Sequence, residues 1–512
     1  MNRNSMLACL AGAAALAALP LQAARAADCA GLAGLQLSHV QITAAESVAA
    51  GAFRPPAGGG GMGAPPAAYG HLPAFCRVAG TIRPTPDSDI RFEVWMPAAG
   101  WNGKFVGTGN GVWAGSVVSS SMVAPLTEGY ATMATDDGHQ GSPMDAGFMA
   151  GHPAKMVDFG YRAVHETTVA AKALIKAFYD RGASRSLFVS CSTGGRQGLM
   201  EAYRYPKDYD GISAMAPANP MVDLMIGSLW TGEVALKDAA SHIPPQKFAL
   251  VHKAVLRACD ARDGVVDGII SHLGCDFDPS VLQCKGGDAP DCLTAPQVVA
   301  LRAIYAGPHN PRTGELIYPG YEPGSEGMLP ILTMGPEPFA VATTYFRAVV
   351  FRDPSWDFRN FDYDHDVELA HKAGSAALDV PPTGINAFLA GGRKLLLSHG
   401  LADGLIPPRS TVNFYTAMTR HAGPKQSRNT RLFLIPGMGH CGGGDGPFVF
   451  DAISTIDDWV ATGRAPERIV VSNPPRAKPR TRPLCPYPQE AAYTGQGSSD
   501  DEHNFRCAVP GR

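Results

Sequence analysis

The chain has 512 residues, more than one compact core usually contains, so we expect one large domain with a substantial insertion, or two domains. With 45% hydrophobic and 17% charged residues, its composition is that of an ordinary soluble globular protein. The net charge of −3, without any run of lysine or arginine, argues against a protein that binds nucleic acid or another polyanion.

Residues 1–26 have the pattern of a secretory signal peptide. Arg3 precedes an apolar run over residues 6–21, and Ala24-Arg-Ala26 offers a cleavage site between small residues. Because Pro20 interrupts the run, we do not expect a retained membrane anchor. A buried N-terminal helix is the alternative interpretation. The pattern therefore predicts export, either to the periplasm or to the medium.

The cysteine count fits an exported protein. Of the 11 cysteines, Cys9 lies in the predicted signal peptide, and the even number that remains favours disulfides over metal ligands. No C-x-x-C spacing suggests zinc. The count does not fix the connectivity, but the order along the chain suggests four local pairs: Cys29 with Cys76, Cys259 with Cys275, Cys284 with Cys292, and Cys485 with Cys507. Cys191 and Cys441 are left over.

Strand and helix patterns alternate through residues 27–218 and again through residues 384–512. The predicted strands lie at residues 90–96, 104–107, 130–135, 187–189, 209–216, 393–400 and 431–435. The predicted helices lie at residues 161–180, 197–205, 409–421 and 448–462. Such alternation predicts an α/β fold whose mostly parallel sheet carries helices on both faces.

Residues 219–383 interrupt this alternation. The stretch is longer than an ordinary connection and contains four cysteines, many prolines and scattered aromatic residues. We therefore predict an inserted subdomain between two halves of one catalytic domain, residues 27–218 and 384–512.

The stretch Phe188-Val-Ser-Cys-Ser-Thr-Gly-Gly-Arg196 joins a predicted strand to a predicted helix through small residues. A serine at the apex of such a turn is typical of a nucleophile elbow, and here the serine is Ser192. Ser190 replaces the first glycine of the usual G-x-S-x-G pattern, while Gly194 retains the second. Taken alone, the stretch also fits a glycine-rich turn with an incidental serine.

Two later strands end in the other residues of a triad. The strand at 393–400 leads to Asp403, and the strand at 431–435 leads to His440. Serine, aspartate and histidine in this order are typical of α/β hydrolases. Ser192 would attack an acyl carbon, His440 would act as the base, and Asp403 would orient the imidazole. The alternatives are His399 as the base, although its place within the strand end favours a structural role, and Asp403 as a turn residue.

The loop Gly107-Thr-Gly-Asn-Gly111 follows an early strand. It lacks the spacing of a phosphate-binding Walker loop. In a hydrolase, a glycine loop at this place supplies a backbone N–H to the oxyanion hole, and Gly111 is our choice for it. Together with the N–H of Thr193, each donor would contribute about 3 to 4 kcal/mol. A plain turn is the alternative. Asp136-Asp-Gly-His139 is interpreted as a polar turn rather than a metal site.

Cys191 and Cys441 each adjoin a proposed catalytic residue. If Ser192 and His440 lie within hydrogen-bond reach, their neighbours can approach disulfide distance. A thiol nucleophile at Cys191 is disfavoured, because a reactive thiol beside a second cysteine would oxidise in an exported protein.

This constellation of motifs resembles the tannase and feruloyl esterase family of α/β hydrolases, which includes hydrolases of terephthalate monoesters. The resemblance extends from Cys29 to Cys507 and is carried by Gly107–Gly111, Cys191–Gly195, Asp208-Tyr-Asp-Gly-Ile212, His399–Asp403, Gly437–Cys441 and Arg480–Tyr487. It implies a serine carboxylic ester hydrolase acting on feruloyl, hydroxycinnamoyl or galloyl esters through an acyl-enzyme. It also implies a disulfide between Cys191 and Cys441, the four local pairs given above, and a lid formed by residues 219–383.

The resemblance further implies a structural calcium ion in this lid. Asp260, Asp263 and Asp267 lie in a turn-rich loop whose spacing is not that of an EF-hand, and by spacing alone a solvated acidic turn is the default. The family's calcium site implies ligands from these three side chains and from the main-chain carbonyls of Val265 and Ile269.

The substrate is the least determined property. Candidates for an aromatic wall of the acyl pocket are Trp230, Tyr345, Phe346, Phe351 and Trp356. Terephthalate-type monoesters are the alternative substrate, since that branch of the family carries an arginine in an Arg-x-x-x-Phe-Ser context. Here Arg347-Ala-Val-Val-Phe351 is followed by Arg352 rather than serine, so the match to that branch is partial. A secreted binding protein that lost its chemistry would lack a triad residue, and none is missing.

Overall fold

The computed structural model describes residues 28–55 and 66–510, so the predicted signal peptide lies outside the described residues. Nine strands of the described chain form one sheet in the order β1-β2-β3-β5-β4-β6-β7-β8-β9. Their bounds are β1 Val40–Val48, β2 Phe75–Ile82, β3 Ile90–Pro97, β4 Lys104–Gly107, β5 Ala131–Thr135, β6 Arg185–Cys191, β7 Gly211–Met215, β8 Lys394–Gly400 and β9 Thr430–Ile435. The strands from β5 across to β9 pair in parallel, and β1, β2, β3 and β5 pair antiparallel.

Helices complete the fold. Their bounds are α1 Val123–Thr127, α2 Pro153–Val157, α3 Ala163–Tyr179, α4 Thr193–Arg204, α5 Met221–Leu236, α6 Pro245–Cys259, α7 Ala295–Ala306, α8 Pro330–Thr333, α9 Ala340–Tyr345, α10 Asp366–Leu378, α11 Asn386–Ala390, α12 Pro408–Ser427 and α13 Ala452–Thr462. No helix of the described chain is both long and apolar enough to cross a membrane.

The parallel part of the sheet is covered on both faces. Phe188 of β6 packs in one cluster with apolar residues of α3, α4 and α12, whereas its neighbour Leu187 packs in another with α13. Leu395 and Leu396 of β8 divide in the same way. Successive side chains of a strand point to opposite faces, so a strand covered on both sides becomes a continuous apolar run. This arrangement confirms the predicted α/β-hydrolase core.

Several boundaries differ from the sequence prediction. The helix after Ser192 begins at Thr193 rather than at Gln197, because the helix follows the elbow without a linker. The last long helix begins at Ala452 rather than at residue 448, because Asp451 caps it by accepting a hydrogen bond from the N–H of Ser454. Strands β1 and β2 were not predicted.

Between β7 and β8 the chain leaves the sheet. This β7–β8 segment, residues 216–393, contains α5 to α11 and contributes no strand to the nine-stranded sheet. Its apolar residues pack mainly in two clusters, one around α6 and α7 and one around α5, α9 and α10, and the second also contains Trp113, Met149 and Phe159 from outside the segment. The segment therefore packs directly against the rest of the chain, and whether it acts as a lid remains a prediction.

Beyond α13 the described chain forms two small antiparallel hairpins. They consist of β10 Ile469–Ser472 with β11 Thr481–Leu484, and β12 Glu490–Tyr493 with β13 Phe505–Ala508. Five disulfides cross-link the described residues, namely Cys29–Cys76, Cys191–Cys441, Cys259–Cys275, Cys284–Cys292 and Cys485–Cys507. Disulfides are typical of oxidising compartments.

Candidate active site

Ser192 stands at the tip of the turn between β6 and α4. Its backbone has φ 64° and ψ −127°, which is a strained conformation for a residue other than glycine. Two backbone hydrogen bonds stabilise the turn. The N–H of Ser192 donates to the carbonyl of Met215 at 3.0 Å, and the carbonyl of Ser192 accepts from the N–H of Ala218 at 3.1 Å. These bonds keep the serine at the carboxyl edge of the sheet.

Small residues make this turn possible. A Cβ on Gly194 would clash with Ser190 Oγ, and a Cβ on Gly195 would lie 2.6 Å from the carbonyl oxygen of Met215. Ser190 takes the place of a glycine, and its hydroxyl accepts a hydrogen bond from the N–H of Gly109 at 3.2 Å. The departure from G-x-S-x-G therefore links the elbow to the glycine loop.

Three side chains from distant segments meet at the elbow. His440 Nε2 lies 2.9 Å from Ser192 Oγ, and His440 Nδ1 lies 2.8 Å from Asp403 Oδ2. Asp403 is completely buried, and its Oδ1 accepts from the N–H groups of Leu405 and Ile406 at 2.8 and 2.9 Å. The carboxylate is thus fixed before it contacts the imidazole.

The charges of the site favour an ion pair of aspartate and imidazolium. Burial lowers the pKa of His440, but the charge of Asp403 and its hydrogen bond raise it more, so the net pKa lies above its usual value. Burial raises the pKa of Asp403, but the charges and hydrogen bonds of His440 and His399 hold it well below its usual range. Asp403 therefore stays ionised while His440 gains and loses a proton.

His399 is placed as a support for the aspartate. Its Nε2–H donates to the carbonyl of Ile406 at 3.0 Å and lies 3.2 Å from Asp403 Oδ2, while its Nδ1 forms a hydrogen bond of 2.7 Å with the hydroxyl of Thr411. Both ring nitrogens are thereby engaged, and the ring is completely buried. This geometry is that of a structural histidine.

A disulfide lies beside the serine and the histidine. Cys191 and Cys441 are bonded, with 6.0 Å between their Cα atoms and 250 positions between them in the sequence. Because Cys191 precedes Ser192 and Cys441 follows His440, the bond ties the elbow to the histidine loop across the entire β7–β8 segment.

The glycine loop after β4 lies against the start of α4. The carbonyl of Asn110 accepts from the N–H of Gly194 at 2.8 Å, and the N–H of Asn110 donates to Gln197 Oε1 at 3.0 Å. Within residues 28–55 and 66–510, the N–H groups of Gly111 and Thr193 have no acceptor. Two donors from separate segments are thus available beside the serine.

Some residues of the site had not been singled out from the sequence. Met328 Sδ accepts from the backbone N–H of His440 at 3.1 Å. Gln197 Nε2 donates to Asp137 Oδ2 at 2.6 Å, so the turn at Asp136–His139 reaches the elbow helix. Trp113 Nε1 donates to the carbonyl of Val341 at 2.9 Å. The only local signal was the proximity of Trp113 and Gln197 to motifs already identified.

Four of the candidate aromatic residues pack together in the β7–β8 segment, whereas Trp230 packs against Tyr363. Phe351 and Trp356 stack with 4.6 Å between their ring centroids, and Phe346 packs against both. Tyr345 is the member connected to the site, since its ring stacks on that of Trp113 at 5.8 Å.

The carboxylates proposed to bind calcium face nearby N–H groups. Asp260 accepts from the N–H groups of Asp267 and Gly268, and Asp267 forms a buried ion pair with Arg482. Asp263 Oδ2 is buried and lacks a hydrogen-bond partner in the described chain, and burial raises the pKa of this carboxyl. The oxygen donors fit a hard cation, and the orphaned oxygen is the feature that favours one.

Another group of potential ligands lies elsewhere, on α3, α4 and the loop before β7. Ligand atoms of His165, Glu201 and Asp208 lie within 4.8 Å of one another, and His165 Nδ1 is 2.6 Å from Asp208 Oδ2. Among the described residues, Asp260, Asp263 and Asp267 form no such group. Burial raises the pKa of Glu201 well above its usual value, and the ammonium of Lys172 donates to the carbonyl of Asp208.

The chain resembles known esterases over most of its length. A family model described as tannase and feruloyl esterase matches residues 76–508. An uncharacterised esterase of Xanthomonas campestris is 37% identical over 99% of this chain and 96% of its own. A probable feruloyl esterase B-1 of Aspergillus flavus is 33% identical over 84% of this chain and 86% of its own.

Solved structures agree with these relatives. The crystal structure of feruloyl esterase B from Aspergillus oryzae superposes with a TM-score of 0.86 at 28% identity, covering 94% of this chain and 99% of that one. A tannin acyl hydrolase from Aspergillus niger shares the fold, with a TM-score of 0.76 at 20% identity over 92% of each chain. The chain therefore belongs to the tannase and feruloyl esterase family of carboxylic ester hydrolases, as its motifs predicted.

Proposed function

We propose that Ser192, His440 and Asp403 are the catalytic triad of a serine esterase. The observation that carries the proposal is the continuous set of hydrogen bonds from Ser192 Oγ through the imidazole to Asp403 Oδ2. His440 takes the proton of Ser192 as the oxygen attacks the ester carbonyl, and returns it to the leaving alcohol. Water activated by the same imidazole then cleaves the acyl-enzyme, which releases the acid and regenerates the serine.

The negative charge that develops on the carbonyl oxygen needs donors. We assign them to the backbone N–H groups of Thr193 and Gly111, which have no acceptor in the part of the chain that the structure describes. Thr193 is also the first residue of α4, where the helix dipole favours negative charge. Each such donor contributes about 3 to 4 kcal/mol to the transition state.

The substrate that we propose is an ester of an uncharged aromatic acid, of feruloyl, hydroxycinnamoyl or galloyl type. A groove of about 550 Å³ is lined by Met144, Ile331, Met334, Phe339 and neighbouring residues. The N–H of Ile331 donates to the carbonyl of Met328, whose sulfur contacts His440. Met328 therefore connects one wall of the groove to the histidine loop, and the mostly apolar lining suits an aromatic acyl group. The names of the related feruloyl esterases support the same class of substrate.

Terephthalate-type monoesters, the alternative substrate, need a cation for their free carboxylate. Arg347 is the candidate, but its two terminal nitrogens donate to Glu337 at 2.9 and 2.8 Å, and its Nε donates to the carbonyl of Trp356 at 3.0 Å. A guanidinium already paired with a carboxylate has little attraction left for a second one. The ion pair therefore favours uncharged aromatic esters.

The purified mature protein tests this function. We expect hydrolysis of methyl ferulate or methyl gallate to exceed that of a terephthalate monoester, and Ser192→Ala to abolish all three while preserving the far-UV circular dichroism spectrum. A fluorophosphonate probe should label the wild type and not the variant. Turnover retained by Ser192→Ala would refute the triad, whereas a wild type that is neither labelled nor active would indicate a binding protein.

The cellular location and domain division belong to the same proposal. Residues 1–26 would direct export to the periplasm or the medium, and the five disulfides support an oxidising destination. Residues 219–383 would form a lid over a catalytic domain of residues 27–218 and 384–512. N-terminal sequencing of the secreted protein should begin at or near residue 27.

We also propose that the loop after α6 binds a structural calcium ion. The ligands would be the side chains of Asp260, Asp263 and Asp267 with the carbonyls of Val265 and Ile269. When bound, Ca²⁺ would neutralise the buried carboxylates and take no part in the chemistry. The unpartnered Asp263 Oδ2 supports this assignment.

A further inference from the structure

The residue that follows Gly111 is strained. Val112 has φ 46°, in the left-handed region that β-branched side chains rarely adopt. Such a conformation is unfavourable and persists only where surrounding contacts impose it. Because Val112 directly follows Gly111, the contacts that impose its conformation also restrict the loop that carries the proposed oxyanion donor.

One of these contacts comes from the side chain of Thr193. Its hydroxyl donates to the carbonyl of Val112 at 2.8 Å, and the residue is 1% exposed. Thr193 is also the residue whose backbone N–H is the other proposed donor. A single residue thus carries one donor and holds the loop that carries the second.

The other side of Gly111 is held by the same helix. Gln197 Oε1 accepts from the N–H of Asn110, and the carbonyl of Asn110 accepts from the N–H of Gly194. The orientation of the Gln197 amide is set by Asp137, because a carboxylate accepts from the amide nitrogen and leaves the amide oxygen to face Asn110. Asp137 is completely buried and itself has φ 64°.

Resting on the function proposed above, we propose that the Thr193 hydroxyl and the Gln197 amide are positioning residues of the oxyanion hole. They fix residues 110–112 to the first two turns of α4, so that donors from two separate segments keep a constant spacing. Oxyanion donors are effective because they are aligned before charge develops, so a loop free to rotate would lose part of this effect.

The direction of these bonds distinguishes positioning from simple packing. The loop already lies in close contact with the helix, since a Cβ on Gly109 would be 2.6 Å from the Cα of Gly194. Packing needs only this contact. The side chains of Thr193 and Gln197 instead bind the carbonyl of Val112 and the N–H of Asn110, one residue on each side of Gly111, which restricts rotation of the loop that carries its N–H.

The test compares variants that keep every backbone N–H. Thr193→Val has the same shape but no hydroxyl, and Thr193→Ser keeps the hydroxyl. For Thr193→Val we expect kcat on methyl ferulate to fall about 10- to 100-fold with KM changed less than about twofold, and Thr193→Ser should restore most of the rate. Binding of an aryl boronic acid, which forms a tetrahedral adduct with the serine, should weaken in parallel with kcat/KM.

Thr231→Val is the matched control. Thr231 is a buried threonine of α5, and its hydroxyl donates to the carbonyl of Gly227 at 3.0 Å, within the β7–β8 segment. We expect it to lower the melting temperature without changing kcat. Gln197→Glu loses the amide donor toward Asp137 and should lower kcat as Thr193→Val does. If Thr193→Val does not fold, Gln197→Glu tests the positioning role in its place.

The outcomes distinguish a failure of the positioning role from a failure of the proposed esterase function. The wild type is expected to be active. If Thr193→Val and Gln197→Glu then lost stability but kept kcat and boronate affinity, the positioning role would be overturned and the triad would be unaffected. Equal losses in Thr193→Val and Thr193→Ser would also overturn it. A wild type inactive on every ester would overturn both proposals.

Discussion

The disulfide between Cys191 and Cys441 offers the sharpest test of how the site is assembled. Replacing both cysteines with serine removes the link between the elbow and the histidine loop. In the chain-entropy description, a loop of 250 residues corresponds to about 5.5 kcal/mol of restriction on the unfolded chain at 25 °C. The Cys284–Cys292 disulfide closes a loop of 8 residues and corresponds to about 2.5 kcal/mol. The double variants should therefore differ by about 3 kcal/mol.

The two variants should also differ in activity. The contact of 2.9 Å between Ser192 Oγ and His440 Nε2 joins residues adjacent to the first disulfide, whereas the second lies within the β7–β8 segment. A misplacement of about 1 Å between reacting groups can cost about 100-fold in rate. We expect Cys191→Ser with Cys441→Ser to lower kcat by about 10- to 100-fold even where it is folded.

The assay measures urea unfolding midpoints and kcat on methyl ferulate, well below each midpoint. Cys284→Ser with Cys292→Ser is the control and should lose stability with little change of kcat. The reasoning would be refuted if the control lost as much kcat as the Cys191 and Cys441 variant, or if the latter kept full activity and lost no more stability than the control.

Three further predictions concern charge. Asp403→Asn should lower kcat by about four orders of magnitude. The rate at acid pH requires neutral His440, and the Asp403 carboxylate raises the pKa of this imidazole. Without the carboxylate, the acid limb of the pH–rate profile should move to lower pH. Glu337→Gln should free Arg347 and raise kcat/KM for a terephthalate monoester several-fold relative to methyl ferulate, as an ester panel would measure. Chelation with EGTA should lower the melting temperature, measured by differential scanning calorimetry, and leave kcat unchanged at temperatures below it. In Asp263→Asn, EGTA should no longer change the melting temperature.

Each of these predictions has a matched control. Asp457→Asn removes a buried aspartate that pairs with Lys104, and it should cost stability without moving the acid limb. Glu368→Gln breaks an exposed pair with Lys372 and should leave substrate preference unchanged. Asp278→Asn removes an exposed aspartate from the same β7–β8 segment and should keep the response to EGTA. A control that behaves like its partner would contradict the corresponding prediction.

Much of the core could be predicted from local patterns. The strand at Leu395–Leu397 is continuously apolar because both faces of the sheet are covered, and the turn around Ser192 needs small residues wherever it is placed. Both signals depend on residues close together in the sequence. The antiparallel strand β1 escaped prediction because much of its surface is exposed, so its residues lack a strong apolar pattern.

The surroundings of the triad required the folded chain. Met328, which contacts the N–H of His440, lies 112 positions from it in the sequence, and no spacing rule connects the two. From the sequence, Arg347 was a partial match to an arginine that binds a free carboxylate, and only the structure shows that it is paired with Glu337. Such contacts depend on how the β7–β8 segment packs, which short-range patterns do not encode.

By itself, the sequence determined the sheet with helices on both faces, because the strands and helices follow from hydrophobic periodicity. It also determined the family and the serine, aspartate and histidine at residues 192, 403 and 440, because these follow from the order of motifs along the chain. Only the tertiary structure decided that the glycine loop is bound to α4, which aspartate oxygen lacks a partner, and that the candidate arginine is already neutralised. The physical reason is that hydrogen bonds and ion pairs act over about 3 Å between atoms, irrespective of their separation in sequence.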